Sequence, residues 1–337
     1  SYKINSQPQT NDSYNTYLDI EPDENKLDII KELSLKNFHS DGKTNTMEQT
    51  FQVDYTTPIG KLHTIETGAK YIFRRNSSDN RFYEAEGASE NYAYNENRSS
   101  EYRHLNHILS AYAGYTLKYK GFTFKPGLRY EQTIQEVKYL VGPGENFDSN
   151  FSDLVPSVSL GIKLGKTQNL RGGYNMRIWR PSIWFLNPYL NDSNPAHVTQ
   201  GNASLESEKS HAFNLSYSNF TQKFNINMSL NYSFNNNGIE RVTSLMNDKD
   251  IPGLTSHTGK EVLYSTYQNI GKSSYLGLSG YVNWNASPKT RVYLNLWGDY
   301  SRLKSPSQNL ENSGWSVFAY GGVQQTLPLD IRLSVNL

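Results

Sequence analysis

Residues 223–235 read KFNINMSLNYSFN, with Phe224, Ile226, Met228, Leu230, Tyr232 and Phe234 at the even positions and Asn225, Asn227, Ser229, Asn231 and Ser233 between them. A period of two sends these sets to opposite faces of a β-strand, whereas a helix would scatter both around its circumference. The same alternation returns at 109–119, 122–131, 154–164, 276–284 and 331–337, and no amphipathic helical run competes with it.

Connections alternate as regularly as the residues do. Short ones fall at 57–61 (TPIGK), 120–121, 165–168, 219–222, 285–289 (NASPK) and 327–330 (LPLD), each built from the Gly, Pro, Asn or Asp that tight turns require. Long polar segments lie between them, at 10–44, 76–101, 138–152, 180–208, 236–260 and 304–312. One end of the sheet therefore has tight turns and the other has loops, which is the layout of an outer-membrane β-barrel. The pattern predicts thirteen strands, at 1–9, 45–57, 62–75, 102–119, 122–137, 153–164, 168–179, 209–219, 223–246, 258–286, 289–303, 313–327 and 331–337, with an extra loop hairpin at 27–38. Several exceed the roughly 9–11 residues a tilted strand needs to cross hydrocarbon, so they should project past the membrane on the loop side. The expected fold is all-β, an up-and-down antiparallel transmembrane barrel, and the odd count makes it an open, incomplete portion in which 1–337 form a single segment. A soluble β-sandwich also alternates, but it covers its apolar face with a second sheet. Tyr55, Tyr119, Phe122, Phe124, Phe220 and Phe224 sit at turn ends, where an interfacial aromatic girdle belongs.

Composition narrows the functional classes. Among 337 residues, 33 basic and 32 acidic side chains leave a net charge of +1, which gives no electrostatic argument for nucleic acid. Apolar residues are 36% and mean hydropathy is −0.70, so no large greasy core is expected, yet 25 tyrosines argue against disorder. No run approaches 18 apolar residues, which excludes a membrane-spanning helix but not a spanning strand. The absence of cysteine excludes disulfides and thiolate chemistry. His104 and His107, three apart on a predicted strand, point to opposite faces and share no metal. Gly142-Pro143-Gly144 has no helix behind it and reads as a turn. Glu84, Glu86 and Glu90 read as solvated loop carboxylates, with weak calcium binding the alternative. No nucleophile faces a base, so neither catalysis nor a cofactor is expected.

The densest segment runs from Tyr174 to His211. Arg177, Arg180 and Pro181 are followed by Leu186, Asn187, Pro188 and Tyr189, then by Asn194 and Pro195, then by Gly201, Asn202, Leu205 and Glu208. This order resembles TonB-dependent outer-membrane receptors, and more closely the related outer membrane protein beta-barrel family, with two family prolines replaced by Ala203 and Ser207. A second similarity lies in Asp54, Tyr55 and Pro58 followed by Glu66, Gly68 and Lys70. The resemblance implies a barrel of about 22 strands around a plug domain that this chain does not contain. It also implies a Gram-negative outer-membrane location and uptake of a nutrient ligand driven by the TonB energy-transducing complex. Further partners would be outer-membrane lipid and a ligand or surface lipoprotein. An adhesin or assembly scaffold that displays loops on a barrel is the competing function.

With the apolar register toward lipid, the inward set includes Lys70, Arg74, Lys125, Arg129, Glu131, Lys163, Arg171, Arg177 and Asp299. A mixed-sign wall suits a water-filled or plugged interior, because charges facing lipid near the midplane cost roughly 2–4 kcal/mol each. The candidate ligand-binding group is Arg177, Trp179, Arg180, Trp184 and Tyr189, an aromatic and cationic cluster at a loop mouth. The competing role for these side chains, with Phe185, is packing of the loop over the rim.

Overall fold

The structure is a computed structural model that describes residues 1–15, 36–86, 91–142, 144–191, 196–251, 254 and 259–336. Among the described residues, thirteen strands of a sixteen-stranded sheet follow one another in hydrogen-bonded order. They are β1 (Tyr2–Asn15), β2 (Lys36–Ile59), β3 (His63–Glu86), β5 (Ser100–Tyr119), β6 (Phe122–Val141), β7 (Phe147–Lys163), β8 (Gln168–Trp179), β11 (Glu208–Phe220), β12 (Phe224–Asn247), β13 (Glu261–Ser287), β14 (Thr290–Ser305), β15 (Leu310–Thr326) and β16 (Arg332–Asn336). Every pair along this path is antiparallel. β1 and β16 each have a single neighbour, so the sheet is not closed. Three short strands lie off the path, β4 (Ala93–Tyr94), β9 (Leu190–Asn191) and β10 (His197–Gln200). Among the described residues no helix is long and apolar enough to cross a membrane, a statement that does not bear on spanning strands.

The thirteen expected strands and their order hold along the main path, and their turn ends agree within a few residues, but β4, β9 and β10 are additional and lie inside the segments expected as loop at 76–101 and 180–208. The loop ends differ. β1 continues to Asn15, β2 begins at Lys36 and β3 runs to Glu86, inside segments expected as loop at 10–44 and 76–101. These extensions are mostly polar, and a ring pair they carry, Phe38 and Phe82 at 5.2 Å, lies on the polar face, so they lack the alternation that marks a half-buried strand and ladder hydrogen bonds to neighbours extend them. Of the expected hairpin at 27–38, residues 36–38 belong to β2 and 27–35 lie outside the described residues.

Register fixes the faces. Ile226, Met228, Leu230 and Tyr232 of β12 stand opposite Val282, Gly280, Leu278 and Leu276 of β13, and these stand opposite Leu294, Leu296, Gly298 and Tyr300 of β14. This apolar face is solvent-accessible across the sheet, Val53 at 73% and Val317 at 71%, and among the described residues no second sheet lies over it. At the short-turn end, Lys120 (φ 44°) and Gly121 (φ 85°) form a two-residue loop with both φ positive, the twist that joins adjacent antiparallel strands without splaying them.

Candidate functional site

The face opposite the apolar one carries two features, a ladder of charged side chains near the short turns and a loop folded over the upper half. In the ladder, Asp54, Gly68 and Tyr112 share one register row on β2, β3 and β5. A Cβ at Gly68 would lie 2.4 Å from the Tyr112 ring, so glycine lets the tyrosine lie flat across β3 and donate its hydroxyl to Asp54. Gln52 donates to the same carboxylate at 2.9 Å. Closer to the turn Lys125 pairs with Glu66 at 2.7 Å, and six residues past Gly68 on β3, toward the loop end of the same face, Arg74 pairs with Glu48 at 2.6 Å. Half-exposed pairs of this kind contribute about 0–1 kcal/mol each, so their effect is to neutralise the wall locally and fix its shape. Lys70, Lys163, Arg171 and Arg177 share the polar face, and no ion pair is formed by them among the described residues.

The loop starts where β8 ends. Arg180 turns back to the wall, donating from Nε to Thr133 Oγ1 at 2.8 Å and pairing with Glu131, which is 6% exposed. Glu131 also faces Arg129 at 3.3 Å and accepts from Ser110 at 3.3 Å. Burial, followed by repulsion from Arg129 and Arg74, lowers the Arg180 guanidinium to about 10, which leaves it charged at neutral pH. After buried Pro181, a single helical turn, α1 (Ile183–Leu186), drops Leu186 at 0% exposure into a cluster with Leu205, Val137, Phe147 and Phe151. Leu186→Ala is expected to destabilise the full-length protein in micelles by about 2–5 kcal/mol, the range for deleting a buried leucine. Urea unfolding followed by fluorescence would measure it, and a change under about 1 kcal/mol would show that the loop is not seated as described.

The rest of the loop crosses the sheet. β9 and β10 form a small antiparallel pair, and β10 adds in parallel to β13 opposite Leu263, Tyr264 and Ser265, above the level where β14 stops at the partner of Lys272. Gly201 passes so close to Asn187 that a Cβ would lie 2.2 Å from the Asn187 carbonyl oxygen. Next to it, Asn202 donates from its backbone to Phe185 O at 2.6 Å and from its side chain to Tyr267 O at 2.9 Å. The Asn187 side chain donates to Tyr139 Oη at 3.1 Å and receives the Tyr189 amide at 3.1 Å, while Gln200 donates to Pro188 O at 2.8 Å. Glu208 accepts the Ile239 amide at 2.6 Å where the β12–β13 register shifts between Asn235 and Ile239, satisfying a donor near that irregularity. Asn237 grips Ser207 O at 2.8 Å and the Lys209 amide at 2.8 Å, so side-chain amides brace the stretch where the motif's prolines are replaced.

The expected site residues therefore separate. Trp184 is 74% exposed and Trp179 50% exposed, with Arg177 also exposed on β8. Arg180 is engaged with the wall, and Tyr189 is half-buried. Trp179 lies 6.0 Å from the Phe185 ring, which in turn packs 4.8 Å from Tyr267. Asn194 and Pro195 fall outside the described residues. His104 faces Gln135 on the polar face, whereas His107 meets Tyr71 on the apolar one, as their spacing predicts. Glu84 holds Arg98 at 2.7 Å, while the side chains of Glu86 and Glu90 lie outside the described residues. Missed by alternation alone were Val137, Phe147 and Phe151, apolar residues on the polar face. Their broken parity was the available signal of something packed over them.

A thirteen-strand sheet that is apolar on one face, charged on the other, and tight-turned at one end is the wall of an outer-membrane barrel. A family model described as the outer membrane protein beta-barrel family matches residues 1–337, and the chain belongs to that family. It is a protein of the Gram-negative outer membrane. No curated protein matches the chain. Among solved structures it is similar to the ferric citrate transporter FecA in its unliganded form, 13% identical with a TM-score of 0.56 over 99% of this chain and 46% of that one. It is also similar to the copper transporter OprC, 13% identical with a TM-score of 0.60 over 96% of this chain and 46% of that one. The expected likeness to TonB-dependent receptors holds at the level of the barrel fold. The chain spans about half the length of these structures.

Proposed function

We propose that this chain is barrel wall from a TonB-dependent uptake receptor, in which a plug domain held elsewhere in the protein seats against the polar face and moves when energised. The observation that supports this most is the polar face itself. Its ion pairs are local and mutual, while Lys70, Lys163, Arg171 and Arg177 remain without an ion pair among the described residues. A surplus of cations on an inner wall suits carboxylates on a plug or an anionic ligand passing it. On this reading Arg177, Trp179 and Trp184 meet the ligand at the loop mouth, and Arg180 and Tyr189 hold the loop that presents them. Inner-wall polarity also gives an incoming polar solute hydrogen-bonding partners along its path.

The test compares three strains under a panel of single-nutrient limitations: wild type, one lacking the gene, and one lacking the TonB energy-transducing complex. The gene deletion is expected to slow growth in at least one condition, and loss of the complex to reproduce that defect there. A deletion phenotype that survives unchanged whether or not the complex is present would overturn the transport reading and favour a display or assembly role.

A further inference from the structure

On the apolar face, β3, β5 and β6 carry no Asp, Glu, Lys or Arg from their short-turn ends up to Phe73, Leu105 and Ile134. Immediately above come Arg75, Arg103, Glu136 and Lys138. Register brings them together, since Arg75 stands opposite Leu105, Leu105 opposite Glu136, and Arg103 opposite Lys138. A hollow of about 380 Å³ lies among them, with Met47, Phe73 and Leu105 as its apolar floor and the three cations and Glu136 as its rim. Lys138 engages Glu136, whereas no hydrogen bond or ion pair to Arg75 or Arg103 occurs among the described residues.

Height decides what this hollow meets. At about 3.3 Å per residue and a tilt near 45°, Arg75 lies roughly 28 Å above the turn at His63, just past an apolar band of about 25 Å. That is the level of the headgroups on the loop side of the membrane. Exposed arginines there, over a floor continuous with the lipid-facing surface, fit an anionic headgroup with an acyl chain beneath it. We propose that this hollow binds a phosphorylated lipid of the outer leaflet, its phosphate held by Arg75, Arg103 and Lys138 and its chain lying over Met47, Phe73 and Leu105. The inference rests on membrane placement and is independent of the transport reading.

The experiment uses the full-length protein, delipidated in detergent, titrated with diphosphoryl lipid A and with the same lipid stripped of phosphate, bound lipid being counted by native mass spectrometry. The phosphorylated lipid is expected to bind at least tenfold more tightly. The triple variant Arg75→Gln, Arg103→Gln, Lys138→Gln should lose that advantage. A triple on the opposite face, Lys70→Gln, Arg171→Gln, Arg177→Gln, should keep it, and so should Arg75→Lys, Arg103→Lys, Lys138→Arg. Equal binding of both lipids overturns the proposal, as does equal loss in the opposite-face triple. Displacement of the lipid by millimolar inorganic phosphate would assign the hollow to free phosphate and overturn it as well.

Discussion

Arg180→Ala should release the 180–208 loop from the wall and destabilise the full-length protein by about 3–5 kcal/mol, the range for removing one partner of a buried ion pair. The substitution strands Glu131, 6% exposed, beside a single remaining cation, Arg129 at 3.3 Å, and removes the donor to Thr133. Two readouts separate this from a general loss of packing. Protease cutting within 180–208 should rise while the strands stay protected, and the double variant Arg180→Met, Glu131→Leu should regain much of the lost stability because no buried charge is left unpaired. If Arg180→Ala unfolds in urea like the wild type and its loop stays protected, the guanidinium is a bystander and is free for the ligand role considered above.

Gly201→Ala is the second large effect. Most glycine substitutions meet a movable side chain, but here the added methyl would lie 2.2 Å from a backbone oxygen, with the Asn187 carbon and nitrogen each at 2.9 Å. Relief requires the two legs of the loop to part, which breaks the 2.6 Å bond from the Asn202 amide to Phe185 O. Overpacking of this kind costs about 1–3 kcal/mol, and the lost hydrogen bond adds roughly another 1 kcal/mol. The expected result is a lower urea midpoint together with increased hydrogen exchange at Asn202 and Leu205. Unchanged exchange at those amides would mean that the legs are not in contact. Glycine here serves close approach and not a left-handed turn, since its φ is not among the positive values.

Much of the wall was readable from the chain alone. The parity of Leu154, Val158 and Leu160 gives β7 its lipid side, and the same rule orders the strands down to Leu333 and Val335. The resemblance singled out the loop that the structure folds over the wall, yet the packing reasons for its residues were not legible. Glu208 looked like a motif position, and the structure shows it receiving an amide where β12 and β13 slip register. Arg180 looked like part of an aromatic and cationic group with Trp179, and its guanidinium instead meets Glu131. Phe147 and Phe151 broke the expected polarity of their face, and only the arrival of Leu186 and Leu205 over them gives that break a cause.

The chain by itself determined which side of each long strand meets hydrocarbon, the order of the thirteen strands of the main path and which end carries the loops. Those properties are written in neighbours two residues apart and in turn chemistry, both of which are local. Where the 180–208 loop goes was decided by the tertiary structure, because its holds join residues far apart in sequence, 47 positions for Arg180 to Thr133 and 65 for Asn202 to Tyr267. Such pairs have no periodic signature, and they acquire meaning once the sheet has brought β6 and β13 within reach of one segment.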